Sequence, residues 1–220
     1  MPESPLYGVQ TLRGIENFRI SKFHLNEYPL FIQALAITKM GAAVANRELD
    51  LLTEEQTDAI LKACKEILEG KHHDQFPVDM IQGGAGTTTN MNANEVIANR
   101  ALELMGHARG EYQYCSPNDH VNRSQSTNDA YPTAIHIGLY YTHLKLVKHF
   151  ATLIEAFRKK GAEFAHIIKM GRTQLEDAVP MTLGQTFNGF TSILEHELKN
   201  LDFAAQDFLT VNMGATAIGT

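Results

Sequence analysis

The amino-acid sequence predicts a mainly α-helical protein, and three patterns support that prediction. Apolar residues recur at steps of three, four or seven over residues 129–164 and again over 183–208, which is the spacing of the buried face of a bundle helix. Thr53 is followed three residues later by Gln56, a pairing typical of a helix start. The two long patterns exceed the usual helix length of ~11 to 12 residues, so we expect an extended helical bundle.

The composition narrows the class of protein and its partners. The chain of 220 residues has 44% hydrophobic and 20% charged residues, which suits a soluble globular protein with a sizeable core. The chain has a formal charge of −6 and no run of basic residues, which argues against nucleic acid or an anionic membrane as a partner. The sequence shows no secretion signal and no apolar membrane span, and Cys64 and Cys115 stand outside any C-x-x-C pair. We therefore expect a cytoplasmic protein.

The first half of the chain is predicted to contain three helices. Residues 1–26 hold prolines and glycines that break any period, so we expect extended chain with little regular structure. An alanine-rich helix is predicted over 31–49 and a second over 53–68, which Gly70 should end. A third helix is predicted from about 94 to 105, after a glycine-rich loop.

The second half is predicted to consist of two long helices separated by a break. The first should cover residues 129–164, with Pro132 in its first turn, where a missing N–H costs nothing. Glycine and proline punctuate residues 166–180, which predicts a break that is partly strand; the second apolar pattern follows it. We therefore divide the chain into an N-terminal helical domain, residues 1–128, and the first, incomplete part of a helical bundle, residues 129–220.

The strongest functional candidate is the polar stretch just before the first long helix. Hydroxyl and amide side chains stand there together at Ser126, Thr127 and Asn128. A helix start offers unpaired N–H groups and a partial positive charge, which can hold a carboxylate or phosphate. We interpret these residues as holders of an anionic substrate. The alternative that they only cap the helix stays open, because caps prefer the same residue types.

A second candidate is the glycine-rich stretch G-G-A-G-T-T-T-N at residues 83–90. It lacks the lysine of a P-loop and the strand and glycine spacing of a dinucleotide-binding motif, so nucleotide binding is excluded. We predict a turn that presents threonine hydroxyls, Thr87 among them; ligand contact and plain turn chemistry both remain open. His72 and His73 have no further ligands at regular spacing, so no metal site is predicted.

Three motifs taken together resemble the aspartase and class II fumarase superfamily. They read G-G-A-G-T-T-T-N-M-N-A-N-E-V, P-N-D-H-V-N-R-S-Q-S-T-N-D-A-Y-P-T and G-R-T-Q-L-E-D-A-V-P-M-T-L-G-Q. Two details favour the aspartase side of the superfamily. Thr127 stands where fumarases usually carry a second serine, and Gln174 stands where they carry a histidine. A histidine-based proton relay is therefore not carried over to this chain.

The resemblance implies a fumarase/aspartase-like fold and the conversion of L-aspartate to fumarate and ammonia. In that reaction an anti-elimination passes through a dianionic aci-carboxylate and needs no metal or organic cofactor. Six residues would bind the small dicarboxylate substrate: Thr87, Ser126, Thr127, Asn128, Thr173 and Gln174. The first three would hold the β-carboxylate, Asn128 and Gln174 would lie near the amino group, and Thr173 near the α-carboxylate.

The resemblance also implies parts that this sequence does not contain. Family members are homotetramers whose active sites draw on three subunits, and their serine base lies on a loop of pattern S-S-x-M-P-x-K-x-N. We therefore assign no catalytic residue in this chain and expect an incomplete lyase that is inactive alone. Uncovered apolar seams should make it oligomerise.

Two alternatives remain open from the sequence. The first is a class II fumarate hydratase, which would prefer malate to aspartate. The second is a non-catalytic helical module that only oligomerises. A dicarboxylate would then leave its melting temperature unchanged, because only a ligand that binds the folded state raises it.

Overall fold

The computed structural model describes residues 5–216 and confirms a mainly α-helical fold with one small hairpin. The helices and strands of these residues are α1 Val9–Asn17, α2 Pro29–Glu48, α3 Glu54–Leu68, α4 Thr87–Leu104, α5 Thr127–Glu163, β1 Ile168–Thr173, β2 Glu176–Thr182 and α6 Leu183–Ala205. Short 3-10 helices cover Leu25–Glu27, His73–Gln75 and Gln206–Leu209, and a π-helical turn covers Pro117–Val121.

The chain forms two compact units. The first runs to Leu139 and includes the stretch from Thr210 onward, and the second is Tyr140–Leu209. The predicted boundary between an N-terminal helical domain and a helical bundle after residue 128 stays a prediction.

Helix α4 is the centre of the first unit, where α1 and α3 pack against it. Most of its apolar residues are buried, and so are its four asparagines, whereas Leu104 at its end is exposed. Those asparagines tie down the surrounding chain: Asn92 donates to the carbonyl of Gln75 at 2.9 Å, and Asn99 donates to that of Leu6 at 2.7 Å. A buried amide needs such partners because an unpaired polar group in the core costs free energy.

Helix α3 confirms the local signals read from the sequence at both of its ends. The Thr53 hydroxyl accepts the Gln56 N–H at 3.2 Å and the Gln56 side chain accepts the Thr53 N–H at 3.2 Å, which completes the expected capping box. Gly70 follows the helix with φ of +87°, a conformation that only glycine adopts without strain.

The prediction of little regular structure before residue 26 was wrong, because α1 forms there. The Glu95 carboxylate accepts the N–H groups of Gly8 and Gln10 at 2.8 Å and of Thr11 at 3.0 Å. Free N–H groups at a helix start need such acceptors. The acceptor comes from α4, 84 to 87 residues away, so no local pattern could reveal this helix.

The predicted start of the third helix near Asn94 was also wrong, because α4 begins at Thr87. Gly86 precedes it in a left-handed conformation with φ of +86°, and the Thr89 N–H donates to the Gln82 side-chain oxygen at 3.0 Å. The threonines therefore form the first helical turn instead of a loop ahead of it.

The second unit pairs the rest of α5 with α6 around a close glycine contact. A Cβ on Gly184 would lie 2.5 Å from the Gly161 carbonyl oxygen, so the two backbones approach this closely because Gly184 has no side chain; a Cβ on Gly161 would collide with the Asn188 side chain. Phe157 packs against Phe187 and Phe190 with ring centroids 5.8 and 5.7 Å apart. These contacts confirm an apolar seam between the two long helices.

The predicted α5 seam is in fact two stripes. Phe150 and Phe157 are half-buried, whereas Leu146 and Leu153 are 40% and 44% exposed. Helix α6 has 23 residues and ends at Ala205, whereas the predicted pattern runs to residue 208; the pattern continues into the 3-10 helix after it.

The break between the long helices is an antiparallel hairpin, in agreement with the prediction of partial strand. Thr173 pairs with Glu176, which leaves a two-residue turn, and a β-bulge lies between Met170 and Arg172. None of the helices in the described part of the chain is long and apolar enough to cross a membrane.

Candidate functional site

Two contacts bring the start of α4 to the start of α5. A Cβ on Gly86 would lie 2.4 Å from the ring of Tyr131, so the ring fills the space that a side chain at residue 86 would need. The Asn90 amide donates to the Thr127 hydroxyl at 3.3 Å. Two helix N-termini, each with a partial positive charge, therefore lie side by side.

A fully buried lysine, which no sequence pattern predicted, lies beside these two helix starts. The Lys39 ammonium donates to three side-chain amide oxygens, at 2.7 Å to Asn90, 2.9 Å to Asn122 and 3.0 Å to Gln125. Its charge could have been noticed because Lys39 stands on the apolar face of α2, four residues after Leu35. Asn90 ends the glycine-rich stretch at residues 83–90, and Asn122 and Gln125 lie in the polar stretch before α5.

Burial disfavours the protonated form of Lys39. Desolvation lowers the pKa of Lys39 from 10.5 to about 7, while the nearby groups Asp129 and Cys64 act in the opposite direction. Asn122 also accepts from Asn90 at 3.1 Å. The network joins α2, α4 and the start of α5 through one cation.

Ser126 caps α5, so the capping alternative describes part of what this residue does. Its hydroxyl oxygen accepts the Asn128 N–H at 3.2 Å, and its carbonyl accepts the Ala130 N–H at 3.1 Å. Asp129 accepts the Ser126 N–H at 2.9 Å. A serine hydroxyl that accepts still has its own proton to donate, so capping and ligand binding are compatible.

The predicted binding residues of the first unit differ in exposure. Thr87 and Asn128 are exposed, and Ser126 and Thr127 are half-buried. The Thr127 hydroxyl already accepts from Asn90 and therefore keeps its proton for another acceptor. The structure gathers these four residues around two adjacent helix starts.

Thr173 and Gln174 belong to the second unit and lie at the tip of the hairpin. Both are exposed, and Gln174 occupies the turn with φ of +53°. Leu175, beside them, is 93% exposed. Gln174 holds a left-handed conformation that is uncommon for residues other than glycine, asparagine and aspartate.

No metal centre is formed by the part of the chain that the structure describes, since no three His, Cys, Asp or Glu side chains come together there. The donors of the first-unit site are hydroxyls, amides and backbone N–H groups beside a buried ammonium. Such a set suits an anion with several oxygens, such as a carboxylate.

Comparison with known proteins gives consistent similarities. A family model described as Lyase matches residues 1–220. The aspartate ammonia-lyase of Pseudomonas fluorescens is 57% identical over 221 residues, which covers 100% of this chain and 46% of that protein. That of Escherichia coli strain K12 is 55% identical with the same coverage. The chain spans about half the length of the curated relatives it matches.

Two solved structures are similar over most of the chain. A fumarate lyase:delta crystallin from Brucella melitensis has a TM-score of 0.92 at 50% identity, and the match covers 96% of this chain and 49% of that one. A class II fumarase from Schistosoma mansoni has a TM-score of 0.88 at 36% identity, and the match covers 100% of this chain and 46% of that one.

Proposed function

Because the chain belongs to the lyase family, we propose that it supplies dicarboxylate-binding side chains to an aspartate ammonia-lyase, which converts L-aspartate to fumarate and ammonia. The meeting of the α4 and α5 N-termini, made by Gly86 against Tyr131 and by Asn90 against Thr127, carries this proposal. The names of the relatives support the choice of substrate.

The proposed reaction needs hydrogen-bond donors where negative charge develops. Loss of a proton beside the β-carboxylate produces a dianionic aci-carboxylate before ammonia leaves. Thr87, Ser126 and Thr127 are proposed to donate to its oxygens, and each well-placed donor is typically worth ~2.7 to 4 kcal/mol in the transition state. Because Ser126 and Thr127 are already held by internal bonds, they would not have to reorganise as charge builds up.

The local positive charge comes from two helix N-termini and the buried Lys39, and it opposes both the acidic character of the whole chain and the buried Asp129 carboxylate beside Ser126. The Lys39 protons are taken by amides, so the lysine would act on a ligand through its charge and not by direct contact.

The roles of three further residues are proposals. Asn128 and Gln174 would lie near the substrate amino group and Thr173 near its α-carboxylate. Removal of the proton is assigned to no described residue.

The chain is proposed to form a homo-oligomer, a tetramer as the resemblance to the superfamily implies. The exposed Leu146 and Leu153 support self-association. A cytoplasmic location is proposed because Cys64 and Cys115 are free, buried thiols.

Ligand-dependent melting tests the binding part of the proposal. Fumarate should raise the melting temperature of the chain, because a ligand that binds only the folded state stabilises it. A Ser126→Ala, Thr127→Val double variant should lose the shift, while Thr152→Val, a threonine elsewhere on α5, should keep it. A wild-type chain that does not respond to fumarate would contradict the proposal and favour a non-catalytic module.

Catalysis is tested by supplying the remaining length of a relative. The chain is mixed with a polypeptide that carries the unmatched part of the Pseudomonas fluorescens aspartate ammonia-lyase, and fumarate formation from aspartate is followed by ultraviolet absorbance. An assembled complex that forms no fumarate counts against the proposed reaction.

A fumarase-type hydratase is the second candidate, and the similarity to the class II fumarase structure favours it. The same complex is offered malate and aspartate side by side. Faster fumarate formation from malate would select this candidate, whereas Gln174 in place of the family histidine leads us to expect aspartate.

A further inference from the structure

Helix α5 contains a proline in its second turn, and this leaves one backbone carbonyl without its helical donor. Pro132 is the sixth residue of α5, so the predicted place in the first turn was wrong. Proline has no N–H, and the carbonyl that would accept from residue 132 is that of Asn128. An unpaired carbonyl at this position must find another donor or be solvated.

The missing donor comes from the chain that follows α6. The side-chain amide of Asn212 donates to the Asn128 carbonyl at 2.9 Å. Two residues later, the N–H of Gly214 donates to Oδ2 of Asp129 at 2.9 Å. Segment 212–214 therefore makes two bonds to adjacent residues at the start of α5, and it belongs to the same compact unit.

Asp129 transmits the second of these bonds to Ser126. Its side chain is fully buried, its Oδ2 is held by Gly214 and its Oδ1 accepts the Ser126 N–H at 2.9 Å. A buried carboxylate held at both oxygens has little freedom to turn, and hydrogen bonds to a charged group are stronger than those between neutral groups. The backbone of Ser126 is thus fixed relative to segment 212–214.

We propose that segment 212–214 is a clamp that positions Ser126, Thr127 and Asn128 for a dicarboxylate, with Asp129 and Asn212 as positioning residues. This inference rests on the proposed function, because the clamped residues are the ones proposed to bind. The clamp acts on the backbone at residue 126 through Asp129 and at residue 128 through Asn212. A shift at either point would move the Thr127 hydroxyl between them away from Asn90.

The clamp is tested with two variants and two matched controls. Asn212→Ala removes an exposed side chain and should leave the fold intact, with Asn200→Ala, an exposed asparagine of α6, as its control. Asp129→Asn removes the buried charge, with Asp58→Asn on α3 as its control. Backbone amide hydrogen exchange is measured at residues 126–130 and at 96–102 in α4, and fumarate affinity is measured by calorimetry.

Loss of one hydrogen bond should accelerate exchange at residues 126–130 by about tenfold in Asn212→Ala and more in Asp129→Asn. Exchange in α4 should stay unchanged in Asn212→Ala, and fumarate should bind about tenfold more weakly. A role in global stability alone would accelerate both regions equally and overturn the proposal. If Asp129→Asn does not fold, Asn212→Ala decides alone.

The two proposals fail in different ways. A wild-type chain that binds no fumarate overturns the proposed function, while local acceleration at residues 126–130 would still show that segment 212–214 holds Ser126, Thr127 and Asn128 in place. The clamp is overturned if the wild type binds fumarate and both variants bind it equally well, or if exchange at residues 126–130 is unchanged in the variants. Either result leaves the proposed function in place.

Discussion

Gly86 and Tyr131 are in such close contact that a Cβ on Gly86 would lie 2.4 Å from the Tyr131 ring. The contact joins the residue before α4 to the first turns of α5. It makes this glycine a requirement of the site, both because of the ring and because of its φ of +86°.

Replacement of Gly86 by alanine should therefore lower the free energy of unfolding by about 2–4 kcal/mol, since a left-handed backbone and an overpacked contact both oppose the methyl group. Gly41→Ala is the matched control. No atom lies within 4 Å of its added Cβ, and in the interior of α2 alanine should stabilise by about 0.5–1 kcal/mol. Urea unfolding of both variants checks the prediction, and equal effects would contradict it.

Lys39 should make stability rise between pH 7 and pH 9. Its folded pKa of about 7 lies below the ordinary 10.5, so in this range the unfolded chain binds more protons and stability increases with pH. The slope should be at most about 1.4 kcal/mol per pH unit. Above pH 9 the buried thiols oppose it, because burial raises the pKa of Cys64 and Cys115 to about 12.

The measurement is the unfolding free energy at several pH values for wild type, Lys39→Met and Lys62→Met. The first variant should lose the slope, whatever its absolute stability, and the second, on the exposed face of α3, should keep it. A slope that survives in Lys39→Met would assign the effect to another group.

Glu66 should make the stability of the fold decrease in acid. Arg100 donates to both carboxylate oxygens at 2.6 and 2.8 Å and, with help from His72, lowers the pKa of Glu66 from 4.5 to about 2. A carboxyl whose folded pKa is depressed contributes stability above its ordinary pKa, and this is lost as the pH falls toward 2.

Glu66→Gln should therefore unfold at lower denaturant concentration than wild type at pH 6, and the difference should shrink at pH 3. Glu69→Gln, whose partner Lys71 is exposed, should leave stability nearly unchanged at both pH values. A difference for Glu66→Gln that is the same at pH 6 and pH 3 would show that the charge is not responsible.

Helix α1 should depend on the Glu95 carboxylate. In Glu95→Gln one acceptor oxygen becomes an amide that faces backbone N–H groups, and this should cost about 1–3 kcal/mol. Hydrogen exchange should accelerate most at residues 9–17. Glu48→Gln at the exposed end of α2 serves as the control, and normal protection of α1 in Glu95→Gln would contradict this account of its stability.

The exposed leucines of α5 should drive self-association. Leu146 and Leu153 lie seven residues apart on one face of the helix and are 40% and 44% exposed. Replacing both by lysine should reduce the mass measured by light scattering after size-exclusion chromatography. Leu49→Lys, which changes an even more exposed leucine after α2, should leave the mass unchanged.

Features set by neighbouring residues could be predicted from the sequence. The capping box at Thr53 and the extent of α5 needed only local pattern; the box is confirmed, and the ends of α5 lie within two residues of the predicted ones. The start of α4 was misplaced because polar residues such as Asn92 suggested a loop, although tertiary hydrogen bonds allow the helix to bury them.

The parts of the site that could not be predicted depend on contacts between distant residues. Lys39 meets its amide partners across 51 to 86 residues, and the acceptor for α1 comes from α4. A hydrophobic periodicity records which face is buried but not which polar groups meet there. The hydroxyls at Ser126 and Thr127 were visible in the sequence, whereas the scaffold that orients them was not.

The proline in α5 has a consequence for the order of folding. The two bonds from Asn212 and Gly214 close loops of 84 and 85 residues, and long loops lose more chain entropy on closure than local turns do. Helices α2, α3 and the later turns of α5 can form from nearby residues, but the first turn of α5 is completed only after the chain returns at residue 212. Contacts of such sequence separation are slow to form, so we expect the start of α5 to be among the last regions to gain protection during refolding.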